Sequence, residues 1–512
     1  MRCKSVKAGV RGFIGVGEGM NRRTRSLRRG LMLAALTTLT ALAACSGLPS
    51  VGPDYRGPPP DRSLALAQSP APIKVEADRW QAPLPHTGSN DDLARWWQQF
   101  NDPALDAFIA AAERESPTLA RAAANIERAR AITVAAQANA LPAVDATALA
   151  NRGTLAIGTS VLTVSQQRAS VLANWEIDLF GRVRREQEAA GARLSARTDN
   201  WHEARVSVAA EAASEYLQYR FCQSLVAISQ ADLASRTETS TISQRAAAAG
   251  FQAPAAAALA RASAAEAASR LTGQQAECDV IIKAMVALTG LDEPSVRALL
   301  ARPPGGLPVP REFAVSALPA GLLLQRPDLA AAERELAAAS ADIGVAVGDQ
   351  YPRLTLAGSI GPVRLDTGSI TANFTNWSLG PAISLPIFDA GRRAANVEAT
   401  RAAYVAAESE YRARVRGAVR EVEEALVRLQ SSAARDIDAR TASQGYRDAL
   451  EAAQVRWRNG LGSLLDLEEA RRFSLVADSS LASVQRDRVA AWVALYRALG
   501  GGWTTSQGMD AR

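Results

Sequence analysis

Residues 322–361, LLLQRPDLAAAERELAAASADIGVAVGDQYPRLTLAGSIG, carry two periodicities in one stretch. From Asp328 to about Val347 the chain is rich in Ala, Leu and Glu, which predicts a helix. At Tyr351-Pro352 the pattern changes. Leu354, Leu356, Gly358 and Ile360 then alternate with Arg353, Thr355, Ala357 and Ser359, the period of a strand. Pro352 suits the switch, because it cannot continue a helix and drives Tyr351 to an extended conformation.

The same design stands 210 residues earlier. Pro117 matches Pro327, Pro142 matches Pro352, Gly181 matches Gly391, Gly250 matches Gly460, and Gly290 matches Gly500. Leu119/Leu329, Arg182/Arg392, Glu188/Glu398 and Leu271/Leu481 keep the same offset. Alanines match by chance in such helices, but five Pro and Gly breakers in one register indicate an internal duplication.

The N-terminus reads as a targeting segment. Arg22, Arg23, Arg25, Arg28 and Arg29 precede an apolar run from Leu31 to Ala44 that is short for a bilayer span. The run ends in Leu42-Ala43-Ala44-Cys45, which resembles a bacterial lipobox and makes Cys45 the expected lipidation site; Ser46 after it favours the outer membrane. Residues 1–44 hold nine Lys/Arg and one Glu. The remainder therefore carries 49 basic against 51 acidic residues, a formal −2, although the whole chain is +6. The basic balance belongs to the leader, and a nucleic-acid partner is not expected.

The rest divides into an extended lipid-proximal arm (45–90), an N-terminal helical segment (91–115), repeat one (116–300), a linker (301–320), repeat two (321–500) and a tail (501–512). Each repeat predicts a helix, a β-hairpin with strands of about ten residues, and a very long helical hairpin turning at Gly250 or Gly460. Residues 152–168 and 362–375 read as the strand loops. In repeat one, Val171, Ala173, Trp175, Ile177 and Leu179 alternate with Leu172, Asn174, Glu176 and Asp178. In repeat two, Val397, Tyr404, Tyr411, Val415, Val419, Val422, Leu426 and Leu429 recur at coiled-coil spacings. Trp96 and Trp97 are expected in the core.

Cys222 and Cys278 lie 28 residues on either side of Gly250. If Gly250 is the turn, both sit about 42 Å from the tip at one height, where an oxidising compartment would allow a disulfide. Two buried free thiols are the other reading. Only His86 and His202 are present, with no paired Cys/His ligands and no phosphate loop, so neither enzyme chemistry nor a metal or other cofactor is expected. Asp436/Asp438 and Glu421/Glu423/Glu424 read as solvated helix charges.

Four strands cannot close a membrane barrel, and open edges are not tolerated in lipid. The expected fold is therefore mainly α with a β-barrel part. Three chains would supply a 12-stranded outer-membrane β-barrel, continued by a periplasmic α-helical barrel.

The lipobox with Gly52-Pro53-Asp54-Tyr55, Trp96-Trp97-Gln98-Gln99-Phe100, Asp178-Leu179-Phe180-Gly181-Arg182, Gln325-Arg326-Pro327-Asp328 and Ile387-Phe388-Asp389-Ala390-Gly391-Arg392, taken together, resemble the NodT branch of the TolC-like outer membrane efflux proteins. Gln325 departs from that family's usual Arg, which puts one surface contact in question. The resemblance implies a homotrimeric exit duct in the outer membrane. Its implied partners are a periplasmic adaptor (membrane fusion) protein and an inner-membrane pump of the resistance-nodulation-division type. It also implies an acidic aperture at the helical tips, which register on the tip glycine assigns to Asp466 and Glu469. Repeat one has Ala256 at the position of Asp466. The tips Gly250-Phe251-Gln252 and Gly460-Leu461-Gly462 resemble the family's adaptor contact. The rival readings are a structural lipoprotein scaffold between outer membrane and cell wall, and a type I protein-secretion duct. The scaffold gives no reason for four alternating strands.

Overall fold

The computed structural model describes residues 50–57, 96–157, 160–301, 307–308 and 326–501. Cys45, Pro58-Pro59-Pro60 and Gln325 lie outside the described residues. The elements are α1 (Pro103–Glu115), α2 (Pro117–Ala138), β1 (Ala143–Ile157), β2 (Ser160–Ile177), α3 (Arg182–Ala248), α4 (Pro254–Thr289), α5 (Glu293–Leu300), α6 (Pro327–Gly348), β3 (Arg353–Asp366), β4 (Thr371–Ser384), α7 (Arg392–Arg458) and α8 (Leu464–Ala498). The described part is mostly helical with one small sheet. None of its helices is long and apolar enough to cross a membrane.

The 210-residue register is visible in the backbone. α3 and α7 each have 67 residues, about 100 Å of helix. Both follow a left-handed glycine, Gly181 at φ 79° and Gly391 at φ 86°. Both end just before another, Gly250 at φ 78° and Gly460 at φ 75°. At the tips a side chain with a Cβ would be strained, so the two glycines set the hairpin turns. Local chemistry starts the other helices. Asp102 accepts from Ala104 N at 3.0 Å ahead of Pro103, and Ser116 accepts from Leu119 N at 3.3 Å ahead of Pro117.

The four strands form one antiparallel sheet in the order β1-β2-β3-β4, with β2 pairing β3 across the two repeats. The strands run 15, 18, 14 and 14 residues, longer than the expected ten. Stretches expected as loops, 152–168 and 362–375, are largely strand; the second turn is confined to residues 367–370. Register places Val144, Val171, Ile360, Trp377, Leu379 and Ile383 on one face, all exposed in the single chain. The opposite face carries Asn174, Ser359, Ser378 and Gly380, and Thr147 meets Ser170 at 3.1 Å. At Gly361 a Cβ would stand 1.9 Å from Ala169 O. Only glycine lets β3 approach β2 that closely.

The main core lies where α1, α3, α4, α7 and α8 cross, around Trp96, Phe108, Tyr216, Leu426, Trp492 and Leu495. Trp96 stacks on Tyr496 at 4.7 Å between ring centroids. The apolar stripe read on repeat two is the buried face of α7, with Val397, Tyr404, Val415, Val422, Leu426 and Leu429 all buried. Asp436 differs from its expectation: it is buried, because it faces inward on α7 and is paired with Arg440 at 2.9 Å. Arg326 is also buried, paired with Asp328 at 2.8 Å and Glu421 at 2.9 Å, and it donates to Ala498 O. Cys222 and Cys278 are joined in a disulfide with Cα atoms 5.7 Å apart, bridging α3 to α4.

The arm segment 50–57 is strapped across the base of the helices. Val51 N donates to Phe180 O at 2.9 Å. The buried Arg185 guanidinium donates to Val51 O and pairs with Asp54 and Glu188. Gly52 lies so close to Gly344 that a Cβ would meet Gly344 Cα at 2.4 Å. Tyr55 packs on Leu336, Ile343 and Tyr404.

On α3 nearby, burial pushes the Asp199 carboxyl up to about 6, with Arg334 opposing and Glu333 adding to the rise. A carboxyl raised in the folded state releases its proton later than in the unfolded chain. Its contribution to stability is therefore full below about pH 4 and is lost as pH rises through about 6. Asp199→Asn is expected to flatten that part of the stability profile and to raise stability at pH 7.5. Thermal unfolding from pH 4 to 7.5 tests this; parallel profiles for the two proteins would refute it.

Candidate functional site

Two helical tips form the candidate site, and their turns are built alike. In the first, Gly250 N donates to Ala247 O at 3.0 Å and Phe251 N to Ala246 O at 2.8 Å. In the second, Gly460 N donates to Trp457 O at 3.0 Å and Leu461 N to Arg456 O at 2.8 Å. This pairing satisfies the last carbonyls of α3 and α7 and throws the next side chain outward. Phe251 is 89% and Leu461 79% exposed, while Gln252 and Gly462 are half-buried. Each turn thus presents one large apolar side chain to solvent.

The chain re-enters helix differently in the two tips. α4 begins at Pro254 with no side-chain cap. α8 begins with a reciprocal capping box: Asp466 N donates to Ser463 Oγ at 3.1 Å, and Ser463 N donates to Asp466 Oδ2 at 3.2 Å. The hydroxyl and amide of Ser463 hold the Asp466 carboxyl below its usual range. Asp466 is therefore an exposed, ionised carboxylate that also starts its own helix. Glu469 follows three residues later, on the same side of α8 and exposed, with Arg472 at 3.8 Å. The helix geometry brings the two carboxylates to one surface of the second tip.

Behind them lies a buried ionic cluster that sequence reasoning did not find. Glu468, between the two exposed acids, turns inward and pairs with Arg236 of α3 and with Arg471 at 2.8 Å. Arg236 is also held by Asp232 at 2.9 Å and by Ser263 of α4. Arg471 donates to Thr239 Oγ1 and to Ser235 O. Arg270 of α4 reaches Asp232 at 3.2 Å. Burial pulls the Arg471 pKa down, with the nearby Arg236 charge adding to the fall and Glu468 opposing it. The cluster ties the hairpins of the two repeats together beneath the tips. One signal was readable in advance: Arg471 falls on the stripe Leu464, Leu467, Arg471, Ser474, which is the buried side of α8. A charge at such a position needs partners.

Among the described residues, no group of three or more His, Cys, Asp or Glu is placed to hold a metal ion. The site can carry charge, shape and apolar contact.

Comparison with known proteins gives this architecture a family. The sequence profile described as "Outer membrane efflux protein" matches residues 108–291 and again 318–501, two segments separated by the same 210 residues. Nodulation protein T of Rhizobium leguminosarum bv. viciae is 30% identical over 471 residues, 92% of this chain and 93% of the relative. Outer membrane protein OprJ of Pseudomonas aeruginosa is 30% identical over 478 residues, covering 92% and 96%. Among solved structures, the outer-membrane channel OprN superposes with a TM-score of 0.75 at 29% identity, over 88% of this chain and 99% of that one. OprJ is described as an outer membrane protein and OprN as an outer-membrane channel. The chain belongs to the outer membrane efflux protein family, in the company of its NodT and OprJ relatives.

Proposed function

We infer that three copies of this chain assemble into the exit duct of a tripartite efflux system, passing small molecules across the outer membrane. The observation that carries this reading is the sheet. It has an apolar face bearing Trp377, Leu379 and Ile383, an opposite face bearing Thr147, Ser170, Asn174, Ser359 and Ser378 towards the helices, and outer edges at β1 and β4. Such a sheet is stable in lipid only when its edges are paired, and three four-stranded sheets make a closed ring of twelve strands with the polar face inward. The helical hairpins then continue the tube into the periplasm. A scaffold lipoprotein has no use for the lipid-facing band.

In this reading Cys45 carries the lipid anchor. Phe251 and Leu461, with their glycines and Gln252, form the contact for a periplasmic adaptor coupled to an inner-membrane resistance-nodulation-division pump. Asp466 and Glu469 from three copies form an acidic aperture that favours cations and holds the resting conductance low. Solute choice rests with the pump.

Single-channel recording of the purified trimer in planar bilayers tests the duct and the aperture together. The expected result is a small, cation-selective conductance that rises severalfold in Asp466→Asn/Glu469→Gln. The asparagine keeps an oxygen able to cap α8, so a rise reports lost charge and not a frayed helix. An unchanged conductance would remove the aperture from these residues. A correctly trimeric preparation with no channel would overturn the duct.

A further inference from the structure

One row of register partners crosses the polar face of the sheet near its outer end. Leu149 stands opposite Arg168, Arg168 opposite Val363, and Val363 opposite Phe374. Directly opposed residues share a face, so these four side chains stand abreast across all four strands. Rows closer to the helices are mostly smaller or more polar, Thr147 with Ser170, Ser359 with Ser378 and Ala357 with Gly380, with Leu172 beside Ser359 the one large apolar side chain that the described strands place there. Phe374 is the only aromatic residue that the described strands place on this face.

Two arginines stand on the same face. Arg353, at the helical end, is paired with Asp349 at 2.5 Å. Arg168 is half-buried and makes no hydrogen bond or ion pair with any described residue. Val363 is 5% exposed beneath its neighbours, whereas Leu149 and Phe374 remain about half exposed. Together with the flanking strand residues, the row lines a cavity of about 740 Å³, a volume suited to a small organic molecule. The close approach at Gly361, two residues from Val363, holds β2 against β3 and fixes the backbone that carries Arg168.

We propose that this row is an exit site for organic anions with an apolar body. Arg168 receives the anionic group, and Phe374 and Leu149 receive the apolar part. The inference rests on the trimeric duct, in which three rows form one ring inside the barrel. A guanidinium keeps its charge at every physiological pH and matches carboxylate or sulfonate oxygens with two parallel hydrogen bonds. The aromatic ring and leucine beside it bury a hydrocarbon surface that a plain arginine ring would leave wet. The sign is opposite to that of the acidic tips. A solute therefore crosses two filters of opposite charge in series, and the outer one retains anions briefly before release. A site in a conducting path must bind weakly enough to let go.

The test uses the purified full-length trimer in a planar bilayer, with 1-naphthalenesulfonate added from the barrel side. Wild type is expected to show brief current blocks. Arg168→Gln should weaken the block by at least about tenfold, the scale of one lost charge-assisted hydrogen bond, and shift the reversal potential in a KCl gradient towards cations. Phe374→Ser should weaken the block without moving the reversal potential. Arg168→Lys keeps the charge and loses the fork, so it should keep the wild-type selectivity with a weaker block. An open channel with equal block in wild type and Arg168→Gln overturns the exit site and leaves the duct standing. Block only from the helical side does the same. A trimer that conducts nothing overturns both.

Discussion

Glu468→Ala is expected to loosen the helical tips by about 3–5 kcal/mol, the scale for breaking a buried ion pair by removing one partner. Glu468 pairs with both Arg236 and Arg471, Asp232 with Arg236 and Arg270, and the exposed Glu266 with Arg270 alone. Loss of Glu468 removes the carboxylate paired with Arg471 and leaves Arg236 to share Asp232 with Arg270, and both Arg236 and Arg471 are buried and cannot recover full hydration. Amide exchange in α8 near Leu467 and in α3 near Arg236 should accelerate by roughly two to four orders of magnitude. Exchange in the core around Trp492 should not change. Glu468→Gln, which keeps a hydrogen-bond acceptor, should fall between. Exchange at the tips that matches wild type in Glu468→Ala would show that the cluster does not hold the hairpins together.

The second large effect is expected from the disulfide. Cys222 and Cys278 close a 56-residue separation, for which the loop-closure model gives about 4 kcal/mol. The positions related by the duplication are Ser432 and Arg488, so repeat two has no counterpart. Cys222→Ser/Cys278→Ser, or reduction of the wild type, should sensitise the α3–α4 hairpin to protease while α7–α8 keeps its wild-type cleavage rate. Equal sensitivity of both hairpins would refute a staple specific to repeat one.

The duplication, the long helices and the strand alternation were legible in the sequence because each rests on a local signal. Pro117, Pro142, Gly181, Gly250 and Gly290 and their counterparts 210 residues on stand at element ends, although Gly191, Gly273, Gly417 and Gly445 lie inside helices, and a half-buried strand must alternate. The strand lengths were not legible. Beyond the apolar band, residues 152–168 carry Ser, Gln and Arg on both faces, so the alternation fades although the backbone stays extended. The tip acids were legible as a position, but not in their division of labour. Asp466 caps a helix, Glu469 faces solvent, and Glu468 between them is turned inward to serve two arginines. That assignment depends on which side of α8 meets α3, a fact of packing across the two repeats. The row at Arg168 is likewise a product of register between strands distant in the chain.

The strapped arm bears on how the molecule is put together. Ser50 lies five residues beyond Cys45, a reach of at most about 18 Å, and Val51 is pinned to Phe180 at the corner where β2 becomes α3. A lipid on Cys45 would therefore hold every protomer at one level in the leaflet before any barrel exists. The β1 edge of one chain and the β4 edge of the next would then meet while moving in a plane and already in height register. Confinement of that kind raises the effective concentration of the edges for each other. Cutting the strap, for example at Arg185, should slow the gathering of three chains more than it weakens the finished tube.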